Sequence, residues 1–396
     1  YILFLILLYL LVVAYIKIKY KIWAKQPVFH YYNILYWIHD DFIIRSDKTK
    51  LNKYCNLMDI KTETLENIGE KTIQDLVVFI QSHYLKNNNI HYNLKYKSFI
   101  SNLKGCNNSV FISIYKKPKI LFSIKDKNII NTSEIIGSIV SKPCNIYFKK
   151  YIFISYYVDY LCVHTNRRKQ SIAPELILTH EYIRSTNTKN YKVALFKREG
   201  RLLNIVPLVA YNVYLYNLKN IFDTFNKYYT NSESKYTNNS CVKIYKNNVH
   251  LILDFIKEFR PNYSCTILPD LGNILNMINT NILIIYAYVY DGEINSIYIY
   301  KNSDTLYHNK ASMDLIASLY KNNKKNFIMG FKDSLIKIYK EFKIYYLLVE
   351  NISANNILFG ELDARKIKYE FNTMCAYYLY NYAKRTKNNY ECFIML

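Results

Sequence analysis

The chain has 396 residues, enough to bury a large core and to form two or three domain-sized units. Its formal net charge of +23 is spread along the whole length with Tyr, Asn, Lys and Ile in excess, which fits either an anionic partner or AT-rich codon usage. Eight cysteines without a C-x-x-C pair and eight histidines without an H-E-x-x-H argue against a disulfide framework and a zinc site, and for free thiols in a reducing compartment.

Residues 1–16 are apolar without a break, and Lys17, Lys19 and Lys21 follow. A span needs about 20 apolar residues, so this is a candidate membrane anchor of marginal length. The lysines would leave the rest of the protein in the cytosol. A cleaved signal sequence or translated upstream sequence are the alternatives. His39-Asp40-Asp41 reads as a solvated turn, because consecutive side chains diverge. Residues 59–84 have helical spacing, with Leu65, Ile68, Ile73, Leu76, Val77 and Ile80 as an apolar stripe. Residues 109–124 read as two short strands joined by the turn "KKPK", and 135–148 and 151–163 as two more. Residues 172–183 are helical in pattern. Further on, 249–259, 313–320 and 332–342 read as helices, 343–349 and 376–382 as strands, and 282–300 as a hairpin turning at Asp291-Gly292. The polar run 230–240 is the best linker, dividing two α/β halves near residues 215–240.

The stretch "VDYLCVHTNRRKQSIAPELI" (158–177) places a strand against a basic loop that opens a helix. A helix N-terminus offers unpaired N–H groups and a partial positive charge, which suits a phosphate. Ser171 is a candidate cap, Pro174 is tolerated in the first turn, and small Ala173 allows close backbone approach. R-x-x-S-x-A after a strand is similar to the pyrophosphate loop of acyl-CoA N-acyltransferases, and lacks the G-K-[ST] of a Walker loop.

The residues before the loop sharpen this. "DYLCVH" followed by R-x-x-x-x-A-P closely resembles the signature E-I-N-F-L-C-V-H-K-K-L-R-S-K-R-V-A-P of the protein N-myristoyltransferase (glycylpeptide N-tetradecanoyltransferase) family. Leu161, Cys162, Val163, His164, Arg168, Ala173 and Pro174 are identical to it. "YKIWAKQPV" (20–28), "IIGSIVSKPCNI" (135–146), "YYLYNY" (377–382) and the terminal "FIML" resemble further landmarks of that family in order.

The resemblance implies an α/β (α+β) fold of two tandem acyl-CoA N-acyltransferase-like (GNAT-like) halves with pseudo-two-fold symmetry. These are residues 20–220 with the acyl-CoA site and 221–396 with the peptide groove and catalytic C-terminus, after the apolar segment 1–19. It implies a cytoplasmic, monomeric acyltransferase moving myristate from the co-substrate myristoyl-CoA to the N-terminal glycine amine of proteins or peptides. No permanently bound cofactor, metal or nucleic acid is expected. The CoA diphosphate would lie on Arg168, Lys169, Gln170, Ser171, Ile172 and Ala173 beside Cys162 and Val163, with a second anchor at Lys21, Ile22 and Trp23. The N–H groups of Tyr160 and Leu161 would form an oxyanion hole, each donor typically worth about 3–4 kcal/mol. The terminal carboxylate of Leu396 would take the amine's proton. Its reference pKa is near 3.5 against about 8 for the amine, so it needs a partly desolvated site. Tyr84, Tyr92, Tyr96, Asp159, Tyr211 and Ser318 would line the peptide groove.

The chain also departs from the pattern. The family's acidic loop E-D-D-D-N is Lys86-Asn87-Asn88-Asn89-Ile90 here, which removes the charge that meets basic substrate residues. The second signature, K-F-G-x-G-D-G, is reduced to Lys368-Tyr369-Glu370-Phe371-Asn372-Thr373, with Asn372 in the aspartate's place. Asp159 and Tyr157 replace an asparagine and a glutamate, and a T-A-G segment and a histidine are missing around 197–211. These departures leave open an N-acyltransferase with a different acyl chain or acceptor, or an inactive acyl-CoA-binding protein.

Overall fold

The computed structural model describes residues 1–20, 22–39, 41–47, 49–87, 89–123, 128–149, 151–188, 192–228 and 239–396; Lys21, Asp40, Asn88 and most of the linker fall outside these. The chain opens with α1 (Ile2–Lys19), apolar on every side, of mean hydropathy 2.4, with only Ile16 buried. By length and composition it could cross a membrane.

The first half then runs through β1 (Ile60–Thr64), α2 (Glu70–His83), α3 (Tyr96–Leu103), β2 (Phe111–Ser123), β3 (Asn128–Phe148), β4 (Ile152–Val163), α4 (Ile172–Asn187), β5 (Ala194–Glu199), β6 (Val209–Asn217) and α5 (Leu218–Tyr228). The second half repeats the plan. It comprises β7 (Ser240–Lys243), α6 (Val249–Phe259), β8 (Cys265–Pro269), α7 (Leu271–Asn279), β9 (Leu283–Tyr290), β10 (Glu293–Lys301), β11 (Lys310–Tyr320), α8 (Lys324–Phe342), β12 (Tyr346–Glu350), α9 (Asn355–Ala364) and β13 (Tyr369–Tyr380), and β14 (Cys392–Ile394) ends the chain.

Strand pairing gives the order β1-β2-β3-β4-β5-β13-β6-β12-β11-β10-β9-β7. Exchanging the halves reverses this order onto itself, so the pseudo-two-fold axis passes between β13 and β6. Each half lends its last strand to the other. This is the two-half acyltransferase fold that the resemblance implies.

Each half has one parallel contact in that order, β4 with β5 and β11 with β12, bridged by the crossover helices α4 and α8 as parallel strands require. β4 and β5 pair only from Tyr156–Ala194 to Val158–Phe196 and then part, opening a wedge in the sheet. In the second half the matching space is closed. Ser318 donates its N–H to Ser353 Oγ at 3.2 Å and its hydroxyl to Asn355 Oδ1 at 2.6 Å, and the Ala354 N–H reaches Ser318 O at 3.3 Å.

The halves also meet through α3 and α7. Lys142 on β3 is buried there and donates to Asn102 O, Asn102 Oδ1 and Asn273 Oδ1 at 3.0, 2.9 and 3.3 Å. Burial lowers its ammonium to about 8. Gly105 and Gly272 stand backbone to backbone, and a Cβ on Gly272 would lie 2.5 Å from Gly105 O.

Three elements differ from the sequence reading. Residues 60–64 are strand, because Ile-Lys-Thr-Glu-Thr alternates along β2's edge and the helix begins only at Glu70. "KKPK" is not a turn: β2 runs through it with a bulge at Tyr115/Lys116. β1 covers only residues 111–115 of β2, so Pro118 sits where the strand has become an edge, as proline requires. Residues 313–320 belong to β11, not to a helix; a strand buried on both faces gives a continuous apolar run, which periodicity cannot tell from a buried helix.

Candidate active site

Along the β3–β4 ladder Ser138 faces Cys162 but Val140 faces Asp159, so Tyr160 and Leu161 together oppose Ile139. This β-bulge gives Tyr160 a φ of +51° and takes its main chain out of the ladder at the mouth of the wedge. Asp159 Oδ1 accepts the Tyr160 N–H at 2.7 Å and the Tyr84 hydroxyl at 3.3 Å. One of the two expected oxyanion donors is therefore held by the residue before it. The Tyr160 ring is buried against Phe99, and Leu161 is 38% exposed.

The basic loop follows. Arg168 donates from Nη2 to His83 O at 2.7 Å, tying the loop to the C-terminus of α2. Ser171 does not cap α4 as expected: its φ of +63° lies outside cap geometry and its side chain makes no cap bond. The first-turn N–H groups are thus without a side-chain cap. A cavity of about 520 Å³ lies against this helix start, walled by Cys162, Val163, Lys169, Ser171, Ile172 and Ala173 together with Leu161 and Arg168. Burial pushes the Cys162 thiol up to about 12, so it is no nucleophile. Gln170 is exposed and off the wall.

A larger cavity of about 730 Å³ fills the wedge and shares Tyr84, Leu161 and Arg168 with the first. Trp23 closes one side, stacked on Phe196 at 5.5 Å; Ile22 is half-buried beside it but off the wall, and Lys21 is outside the described residues. Tyr92, Asp159 and Tyr160 line it. So does Leu396, 7% exposed, at the end of β14, which pairs in parallel with β8 and is extended by a Met395 N–H to Ile267 O bond of 2.9 Å. Strand, loop and chain terminus, far apart in sequence, meet around these two adjoining cavities. Tyr96, Tyr211 and Ser318 do not reach the wall. Tyr96 packs beside the α2–α3 cluster, the Tyr211 hydroxyl donates to Glu350 Oε2 at 2.6 Å, and Ser318 is engaged by Asn355.

The sequence reading missed the charged floor of this cavity. Lys197 pairs with Glu350 at 2.9 Å and Glu199 at 3.5 Å; burial opposes its charge, but Glu350, Tyr211 and Glu199 hold its pKa well above the ordinary value. Asp314 Oδ1 is shut off from solvent without a hydrogen-bond partner, and burial, aided by Glu350, raises this carboxyl to about 7. Lys301 lies directly across the strand pair from Asp314 and burial lowers its pKa. His180 also lines the cavity, its ring between Ser113 Oγ at 2.7 Å and Ser141 Oγ at 2.8 Å. A lysine ending the apolar strand "SIYIYK" and an aspartate inside "SMDLIASL" were the available signals. Among the described residues no cluster of His, Cys, Asp and Glu could hold a metal ion. Asp41, of the histidine–aspartate turn, instead pairs with Lys384.

Residues 43–206 match the family model for the N-terminal domain of myristoyl-CoA:protein N-myristoyltransferase. Comparison with curated protein sequences finds no match. The fold is similar to crystal structures of Saccharomyces cerevisiae N-myristoyltransferase with bound myristoyl-CoA. One has a TM-score of 0.68 at 15% identity, over 93% of this chain and 94% of that one. A second has a TM-score of 0.68 at 16% identity, over 94% and 90%.

Proposed function

We propose that this chain, whose residues 43–206 match the N-terminal domain of the N-myristoyltransferase family, transfers myristate from myristoyl-CoA to the N-terminal glycine amine of proteins. The observation that carries the reading is a pair of adjoining cavities, sharing Tyr84, Leu161 and Arg168, onto which the Tyr160–Leu161 bulge, the uncapped start of α4 and the chain's terminal residue converge. Acyl transfer to an amine needs these three things: donors for the carbonyl oxygen, a site for the CoA phosphates and a base.

In this account the loop Arg168–Ala173 holds the diphosphate, and the thioester carbonyl reaches the bulge. Its oxygen takes the Tyr160 N–H from Asp159, so the freed carboxylate is next to the incoming glycine ammonium. The Leu396 carboxylate accepts one proton from the ammonium, and the freed amine attacks the thioester carbon. The tetrahedral oxyanion is held by the two main-chain N–H groups and collapses as the C–S bond breaks, the second nitrogen proton leaving with the CoA thiolate as the thiol.

The test is transfer of labelled myristate from myristoyl-CoA to peptides that begin with glycine or alanine. Glycine-only transfer supports the reading, and binding of myristoyl-CoA without transfer to either peptide overturns it.

The protein acts as a monomer at a membrane surface, with α1 as its anchor. Support comes from the helix's all-round exposed apolar surface and the lysines, Lys17 and Lys19, at its C-terminal end. The full chain should float with phosphatidylcholine vesicles and a chain lacking residues 1–19 should not; equal flotation would count against the anchor.

A further inference from the structure

Inside the larger cavity β10 and β11 present an ammonium and a carboxyl side by side. Lys301 and Asp314 are direct cross-strand partners, which puts their side chains on one face of the sheet. Both line the cavity, yet they form no ion pair with each other. The Ser303 hydroxyl lies near the Asp314 carboxyl, but Asp314 Oδ1 is closed off from solvent with no donor, and Lys301 makes no hydrogen bond to any described residue. Their neighbours are already committed, Lys197 to Glu350 and Glu350 to Tyr211. A buried acceptor without a donor is costly, and with a half-buried ammonium unpaired in the same cavity a guest that satisfies both is favoured.

The charges decide what that guest is. A lysine side chain would answer Asp314 but stand beside Lys301. A carboxylate would answer Lys301 but stand beside Asp314 and Glu350. A neutral group that both donates and accepts leaves no charge uncompensated. A hydroxyl must serve both from one atom, whereas a carboxamide separates its donor nitrogen from its acceptor oxygen and so spans two groups too far apart to pair.

Resting on the transferase reading, we propose that Lys301 and Asp314 form a specificity subsite for a carboxamide side chain, glutamine or asparagine, of the acceptor peptide. The amide N–H₂ donates to Asp314 and its oxygen accepts from Lys301. The discrimination that the lost acidic loop no longer supplies is then made on the sheet floor.

The test uses the full chain with myristoyl-CoA and glycine-initiated octapeptides carrying Gln, Ala, Ser or Lys at each later position in turn. At one position Gln should exceed Ala and Lys in kcat/KM by about tenfold or more, the scale of discrimination when buried polar groups lose their partners. Asp314→Asn and Lys301→Met should each bring that ratio below about twofold, mainly through peptide KM. Asp314→Leu serves as a second variant, and myristoyl-CoA binding shows which variants have folded. A flat profile, a preference for Ser or Lys, or a Gln preference surviving both substitutions overturns the subsite while leaving the transferase reading in place. Absence of transfer to every peptide overturns both.

Discussion

Arg168 combines two jobs that a substitution can separate. Its guanidinium holds the loop to His83 O and faces the cavity at the start of α4. A charge-assisted hydrogen bond is worth ~1.5–3 kcal/mol, so Arg168→Ala should raise KM for myristoyl-CoA by roughly 10- to 100-fold with a smaller change in kcat. Steady-state kinetics with varied acyl-CoA checks this, and an unchanged KM would remove the loop from the binding site. His180 gives a different signal. Burial drops its imidazole to about 3, whereas an unfolded histidine titrates near 6.5. Between those values the unfolded chain binds more protons, so this contribution to stability is full above pH 6.5 and is lost as pH falls toward 3. His180→Gln should flatten the dependence of the urea midpoint on pH across that window; an unchanged slope would show that the ring is not held neutral.

The crossing of α3 and α7 depends on two glycines that stood in no motif. Alanine at Gly272 would press a Cβ against Gly105 O, and Gly105 also has a φ of +83°. Either Gly→Ala change should cost at least the ~1–3 kcal/mol typical of overpacking, read as a fall in the urea midpoint with the m-value kept. What was legible at this scale follows from chemistry that is local in sequence. The Asp291-Gly292 turn carries its own signature, with φ of +50° and +80°, and the hairpin lies where it was expected. The strand and helix around "DYLCVH…AP" were readable because alternation and a basic loop are short-range signals. The bulge at Tyr160 was not, since it depends on the register of β3 against β4, and the same holds for the cross-strand meeting of Lys301 and Asp314. Ser318 had a motif-based place in the groove but is drawn into the closed counterpart of the wedge, which only the second half's packing decides.

At the scale of the molecule the two halves exchange strands. β13 pairs with β5 of the first half and with β6, and β6 pairs with β12 of the second, so neither half keeps its sheet alone. Urea unfolding should therefore be one transition, with the fluorescence of Trp23 and Trp37 coincident with far-UV circular dichroism; two separated transitions would show that the halves are independent. The same exchange explains how the last residue of the chain reaches a cavity built mostly from the first half. β14 adds to β8, β8 adds to β3, and β3 carries the bulged partner β4. The central claim is that this route delivers a working base. The most direct measurement is single-turnover transfer from bound myristoyl-CoA to a glycine peptide, comparing the intact chain with one lacking Leu396. General bases contribute about 10²–10⁴-fold, so the shortened chain should bind myristoyl-CoA normally and transfer at least ~100-fold more slowly. Transfer at the intact rate would contradict the account and place the base elsewhere in the wedge.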